Sequence, residues 1–140
     1  MNRKIVAFQI GEEEYGLDIN NVQSIERIQH ITRVPNAPDY VEGVMNLRGN
    51  VTPVIDLRKR LKLEHLTHSD DTRVIITKYD EIEFGIIVDQ INDVTDIKDG
   101  EIEAASSSGL TSEYFAGIAK TGGRLIILLK IEELIKTPES

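Results

Sequence analysis

His65 and His68 are the residues whose types and spacing come nearest to chemistry, with Asp70 and Asp71 close behind. A His-x-x-His pair on a helical turn can bring two imidazoles to one metal ion. Only the two aspartates of the same polar stretch offer further ligands, so solvated linker histidines are the simpler reading. Lys120-Thr121-Gly122-Gly123 has the residue types of a phosphate loop in the wrong order. Its glycines follow the lysine, and a strand-like run follows in place of a helix. A hairpin turn accounts for it. Ser106, Ser107 and Ser108 lack the G-x-S-x-G setting of a nucleophile and read as a solvated loop. The chain has no cysteine, which excludes disulfides, thiolate metal sites and thiol nucleophiles. No catalytic set and no cofactor site emerges.

Arg48 is a different case. It lies in Gly43-Val44-Met45-Asn46-Leu47-Arg48-Gly49, and Val51-Thr52-Pro53-Val54-Ile55-Asp56-Leu57 follows. The pattern predicts strand, tight turn, strand, with Gly49-Asn50 supplying left-handed backbone. Pro53 has no amide donor, which places the second strand at a sheet edge or a bulge. Arg48 then stands at the turn. It serves either as half of a surface ion pair, with Asp56 or a glutamate, or as a bidentate contact to a partner's carboxylate or carbonyls. Spacing alone leaves these two equal. Val22 and Ile25 read as core, and the loop residues Val34 and Pro35 as a contact. Gly43 reads as a strand entry that permits close backbone approach.

The elements that must hold these residues are short strands. Lys4–Ile10 and Tyr15–Asp18 pair as a hairpin around Gly11–Glu14. Ile19, Val22 and Ile25 recur every third residue, which predicts a turn or two of helix with Asp18 as its N-cap. Val34–Pro38 is a loop fixed by two prolines. Leu57 and Leu61 mark a short basic helix, and Glu64–Asp71 a linker. Arg73–Tyr79 and Glu83–Asp89 form a second hairpin around Asp80-Glu81, and Asp93–Ile97 continues the strand pattern. Glu103–Ser112 reads as a loop. Tyr114–Ala119 and Arg124–Leu129 form a third hairpin, and Ile131, Leu134 and Ile135 predict a closing helix. Hairpin spacing points to small barrels or a sandwich. Val74-Ile75-Ile76, Phe84–Val88 and Leu125–Leu129 are apolar on both faces, so each must be covered on both sides. The expectation is an all-β fold of two packed barrels with a groove between them.

Composition agrees. The 140 residues suit one domain, or two subdomains sharing a core. With 40% hydrophobic and 29% charged residues the chain is globular, and with 5% aromatics its core is aliphatic. The net charge of −8 argues against a nucleic-acid partner. The one dense basic patch is Arg58-Lys59-Arg60 with Lys62. No window approaches a membrane span and no apolar signal segment opens the chain, so the expectation is a cytoplasmic protein without membrane insertion.

A series of motifs runs in order through the chain. It comprises Phe8-x-Ile10-Gly11-x-Glu13-x-Tyr15-Gly16-Leu17, Val22, Thr32-Arg33-Val34-Pro35, Gly43-Val44-x-Asn46-Leu47-Arg48-Gly49 and Pro53-Val54-Ile55-Asp56-Leu57-Arg58. Gly85-Ile86-Ile87-Val88-Asp89, Asp93-Val94, Tyr114, Gly117 and Ile126-Ile127-Leu128 follow. The series resembles the CheW-like family of chemotaxis coupling proteins over nearly the whole chain.

The resemblance implies a single domain, 1–140, of two intertwined five-stranded SH3-like barrels, one over about 14–63 and the other over about 72–130. The N-terminal strand and C-terminal helix would complete them. It implies a non-enzymatic scaffold with no cofactor. Such a scaffold joins the cytoplasmic tips of chemoreceptors to the CheW-like regulatory domain of the histidine kinase CheA, in membrane-associated arrays. Matching positions on the receptor side are Val22, Ser24, Gly43, Arg48, Gly85 and Val94. Those on the kinase side are Ile31, Arg33, Val34, Pro35, Asn50, Val51 and Thr52, with a second kinase contact near Glu103, Ser107 and Gly109. Two departures stand out. Some relatives carry glutamate where this chain has Ser24, with Glu26 two residues on. The loop after Glu103 is serine-rich and looks shortened. An adaptor for another sensory pathway and, remotely, a metal-dependent hydrolase built on His65, His68, Asp70 and Asp71 are the alternatives.

Overall fold

The computed structural model describes residues 2–63, 68–104 and 113–135. Eleven strands are β1 (Asn2–Ile10), β2 (Glu13–Asp18), β3 (Val22–Arg27), β4 (Val41–Leu47), β5 (Asn50–Asp56), β6 (Arg73–Tyr79), β7 (Ile82–Val88), β8 (Gln90–Lys98), β9 (Ile102–Ala104), β10 (Phe115–Thr121) and β11 (Arg124–Leu129). Among the described residues two one-turn α-helices, α1 (Leu57–Arg60) and α2 (Ile131–Leu134), accompany these strands. The all-β expectation holds. The strands form a six-stranded sheet of order β8-β1-β2-β11-β10-β9 and a five-stranded sheet of order β3-β6-β7-β5-β4.

The predicted division at 14–63 and 72–130 does not follow these sheets. β6 and β7, from the second half, belong with β3, β4 and β5, while β2 belongs with the C-terminal hairpin. The cause is two parallel pairings. β11 lies parallel to β2, with Ile127 opposite Tyr15. β5 lies parallel to β7, with Ile55 opposite Ile86. Parallel neighbours need a long crossover, so each sheet draws on distant segments. One sheet also carries six strands where five were expected.

Strands apolar on both faces explain the layering. Ile75, Phe84, Ile86 and Val88 of the five-stranded sheet meet Phe8, Ile10, Tyr15 and Leu17 of the other in one shared cluster. The opposite faces fill separate clusters, Val74, Ile76 and Ile87 with Met45 and Val54 on one side, and Ile5, Ala7, Ile126 and Leu128 on the other. β6, β7, β1 and β11 therefore each serve two cores, which their unbroken apolar runs require.

Three local expectations change. A single 3-10 turn, Ile19–Asn21, stands where more helix was expected, with the Asp18 carboxylate accepting from the Asn20 N–H as predicted. Val22 and Ile25 belong to β3, whose pairing with β6 shifts register between Val22 and Ser24. A bulge there lets residues three apart share a face, which imitates helical spacing. Pro53 lies in an inner strand, not at an edge. It pairs with Val44, whose own N–H and C=O bond Thr32 on the other side. Pairing with β7 begins only at Val54, so no ladder bond asks Pro53 for a donor. At the β4–β5 turn it is Arg48 and Gly49 that take positive φ, 51° and 85°, while Asn50 has joined the strand.

Polar side chains tie the layers. The expected basic patch is half interior, since Arg58 and Arg60 are buried. The Arg60 guanidinium lies 3.9 Å from the centroid of the Tyr40 ring and 5.0 Å from that of Tyr114, and donates to the Leu134 and Glu133 carbonyls. That holds α2 against α1. On the six-stranded sheet Arg124 forks onto Glu14 and reaches Asp93. Asn92 donates to Gln9 and Glu14. The β1–β8 register skips Asn92, and this bulge turns the amide onto the network.

The Arg124 hydrogen bonds, followed by that of Asn92, hold the Glu14 carboxyl below its ordinary value of 4.5 against opposing desolvation. The folded chain therefore binds this proton less readily than the unfolded chain. The resulting stability is complete above the ordinary carboxylate range and is lost as pH falls below it. Replacing Arg124 by Gln should cost about 1 kcal/mol in urea unfolding at pH 7. The difference from the parent should shrink as pH falls below 4.5. A difference that persists undiminished in acid would assign the loss to packing.

Candidate functional site

Three of the six receptor-side positions share one row across the five-stranded sheet. Ser24 lies opposite Ile76, Ile76 opposite Gly85, Gly85 opposite Val54, and Val54 opposite Gly43. The row faces the interior of the curled sheet, where Ile76 and Val54 join the Met45 cluster, and away from the shared layer. A Cβ on Gly85 would stand 2.6 Å from Val74 Cγ1. One on Gly43, at φ 153°, would stand 2.2 Å from the Thr32 carbonyl oxygen. That is the close backbone approach expected of Gly43. The Ser24 hydroxyl is buried with no hydrogen-bond partner. These three positions thus shape the sheet from within, and none displays a side chain.

The other three differ. Val94, 51% exposed, pairs with Val6. Val6 alternates with Ile5 and Ala7 of the outer cluster and shares its face with Phe8 and Ile10 of the shared one. Val94 therefore points to the side that meets the other sheet. Val22 packs partly against the shared cluster, and Ile25, paired with Ile75 of that cluster, is 41% exposed. Both were expected in the core, and Val22 keeps partial cover there, whereas Ile25 on β3 and Val94 on β8 stay uncovered on the side facing the other sheet.

Arg48 sits on the β4–β5 turn, where the Asn46 carboxamide oxygen accepts from the Gly49 N–H at 3.1 Å. Its Nη2 donates to Glu26 Oε2 at 3.3 Å, while its side chain stays 73% exposed. The partner is a glutamate, as one of the two sequence readings allowed. Glu26 is on β3, at the opposite edge of the same sheet. The sheet therefore curls far enough to bring its edges together, a geometry compatible with barrel closure. An exposed pair of this kind contributes under about 1 kcal/mol and leaves the guanidinium free to find another acceptor.

The kinase-side positions divide by exposure. Val34 and Val51 are exposed, Val51 at 70%, as are Arg33, Pro35 and Asn50. Ile31 packs partly against the Met45 cluster. Thr52 is 1% exposed and donates to Glu83, so its side chain is not displayed as a contact would require. Strand alternation turns it inward between Val51 and Pro53. Thr32 exchanges both backbone bonds with Val44, which lays the 31–35 segment along the β4 edge. Glu103, on β9, pairs with Lys120 at 3.1 Å. Ser107, Gly109 and His65 lie outside the described residues. Among the described residues no three His, Asp or Glu side chains group as metal ligands, and no helix is long and apolar enough to cross a membrane.

Sequence reasoning missed Arg58 and Asp89 as a pair. Arg58 Nε donates to Asp89 Oδ1 at 3.1 Å, and Asp89 Oδ2 accepts from the Gly11 N–H at 2.7 Å. The only signal was that each belongs to a quoted motif, and 31 residues separate them.

Two stability measurements separate packing from display. Gly85→Ala should cost about 1–3 kcal/mol through the Val74 clash. Ser24→Ala should be neutral or stabilise by up to about 1 kcal/mol by removing an unpaired buried hydroxyl. Urea unfolding of both variants checks this. A stable Gly85→Ala chain, or a Ser24→Ala loss above that margin, would contradict the inward reading.

The family model described as CheW-like domain matches residues 4–139. The chemotaxis protein CheW of Klebsiella aerogenes is 36% identical over 99% of this chain and 85% of its own length. That of Bacillus subtilis is 50% identical over 73% of this chain and 65% of its own. The crystal structure of the scaffolding protein TtCheW from Thermoanaerobacter tengcongensis superposes with a TM-score of 0.92 at 36% identity, covering 100% of this chain and 97% of that one. The chain belongs to the CheW-like domain family, and is a non-enzymatic adaptor of that family.

Proposed function

We propose that the chain couples chemoreceptors to the histidine kinase CheA, holding both at once without reacting with either. The observation that carries the receptor half is the apolar rim on the sides of β3 and β8 that face the other sheet, where Ile25 and Val94 are exposed and Val22 is half-buried. Such a rim suits the apolar stripe of a receptor helix. Arg48, charged and exposed nearby on the curled sheet, would set that helix's register by hydrogen bonding. Ser24, Gly43 and Gly85 would act indirectly, by fixing the shape of the wall from inside.

The kinase half rests on Val34 and Val51, apolar and exposed on and beside the β4–β5 hairpin, flanked by Ile31, Arg33, Pro35 and Asn50. This surface would meet the CheW-like regulatory domain of the kinase. A second kinase contact would lie near Glu103, Ser107 and Gly109, and recruitment to membrane-associated arrays would follow from the receptor. Each contact can be weak, because many identical contacts in an array act together.

Arg48 offers the sharpest test. At φ 51° an arginine is strained where asparagine or glycine is at ease. Arg48→Asn should therefore leave thermal stability unchanged or raised while weakening binding to receptor-tip fragments about tenfold, near 1.4 kcal/mol. Co-sedimentation with receptor fragments and kinase measures both partners. Normal receptor binding by Arg48→Asn would remove Arg48 from the site. A parent chain that binds neither partner would favour an adaptor for another pathway.

A further inference from the structure

We infer that Arg58 and Asp89 are positioning residues that set the angle between the two sheets. Through that angle they set the separation of the walls on which Gly85 and Val94 lie.

Asp89 is the one residue between β7 of the five-stranded sheet and β8 of the six-stranded sheet. The chain changes sheets there. Its N–H donates to the Gln9 carbonyl at 3.0 Å. Its carboxylate accepts from the Gly11 N–H at the β1–β2 turn and from the Arg58 fork on α1. Arg58 is 9% exposed. Its own backbone N–H is bound by Asp56 Oδ1, at 3.0 Å, at the start of α1. Arg58 is therefore anchored by its backbone to the end of β5 in one sheet and by its guanidinium, through Asp89, to a turn of the other.

The apolar layer between the sheets cannot do this work alone. Apolar burial is non-directional, so it sets how closely the sheets pack but resists rotation weakly. A bidentate arginine–carboxylate pair has a fixed plane and resists rotation directly. The pair also sits at a pivot. Gly85 is four residues before Asp89 and Val94 five after it. At about 3.3 Å per strand residue these are arms of roughly 13 and 17 Å, so a turn of about 10° moves their ends by about 2–3 Å. That is enough to open or close a groove against a helix. The Asp89 side chain is 34% exposed and borders a solvent-open cleft of about 240 Å³ that Ser69, Asp71 and Thr72 also line. The clasp is therefore reachable by water and can be loosened without unpacking a core.

The functional consequence rests on the receptor-side reading of Gly85 and Val94, whereas the geometric one needs no partner. The chain has no cysteine, so Ile82→Cys on one sheet and Leu125→Cys on the other, both exposed, give a uniquely spin-labelled pair. Electron–electron distance measurements on the isolated protein should give a narrow distribution with Asp89 intact. With Asp89→Asn the distribution should broaden or shift by about 2 Å or more. Receptor-fragment affinity should fall several-fold in the same variant. Arg58→Lys, which keeps the charge and loses the fork, should reproduce both changes and is the variant to read if Asp89→Asn does not fold. An unchanged distance distribution with a lowered melting temperature would overturn the inference by making the pair merely stabilising. A shifted distribution with unchanged receptor affinity would uphold the positioning role and reject the receptor-side reading.

Discussion

The structure depends on one apolar layer that neither sheet owns. Phe8, Ile10, Tyr15 and Leu17 from one side meet Ile75, Phe84, Ile86 and Val88 from the other, and Leu129, Ile131 and Leu134 close the end. A sheet of five or six short strands buries too little on a single face to be secure alone. Sharing a middle layer lets strands of both sheets bury both faces, and each sheet becomes the lid of the other. The polar interior follows from that arrangement. Arg58 and Arg60 can be buried because the layer's end supplies carboxylates, carbonyls and tyrosine faces for them.

The same layer explains where surface is left over. β3 and β8 lie at sheet edges, so their inward apolar residues have cover on one side only. Val94 and Ile25 remain uncovered because the layer ends beneath them. At the β4–β5 turn the balance is different, since local strain at Arg48 is supported by the Asn46 side chain and by the ladder on both sides.

Much of the architecture was legible in the residues. Four hairpins show as short β-rich runs around Gly11–Glu14, Arg48-Gly49, Asp80-Glu81 and Gly122-Gly123, because turn chemistry is local. The doubly apolar runs correctly required cover on both faces. What was not legible is non-local. The parallel pairing of β2 with β11 joins segments more than a hundred residues apart, and no local signal announces it. The bulge at Val22–Ser24 turned strand spacing into apparent helical spacing. Pro53 looked like an edge residue because its missing donor falls where a ladder has not yet begun. Arg58 looked like solvent-facing charge because its partner is distant in sequence. Of the candidate contact residues, Arg48 and Val34 stood out from turn and loop chemistry, and Val51 only through the family resemblance. The inward row through Ser24, Gly85 and Gly43 emerges only once strand register is known.

The parallel seam between β2 and β11 also bears on how the protein is made. β2 leaves the ribosome early, and its permanent neighbour β11 is the last of the described strands. Until then the N-terminal hairpin has an open edge and a bare apolar face. Closure of so long a loop is slow and late, and a pausing or truncated chain is exposed to aggregation meanwhile. The reward is all-or-none quality control. A shortened chain lacking its C-terminal hairpin loses one wall of the shared layer, so neither sheet is left fully covered.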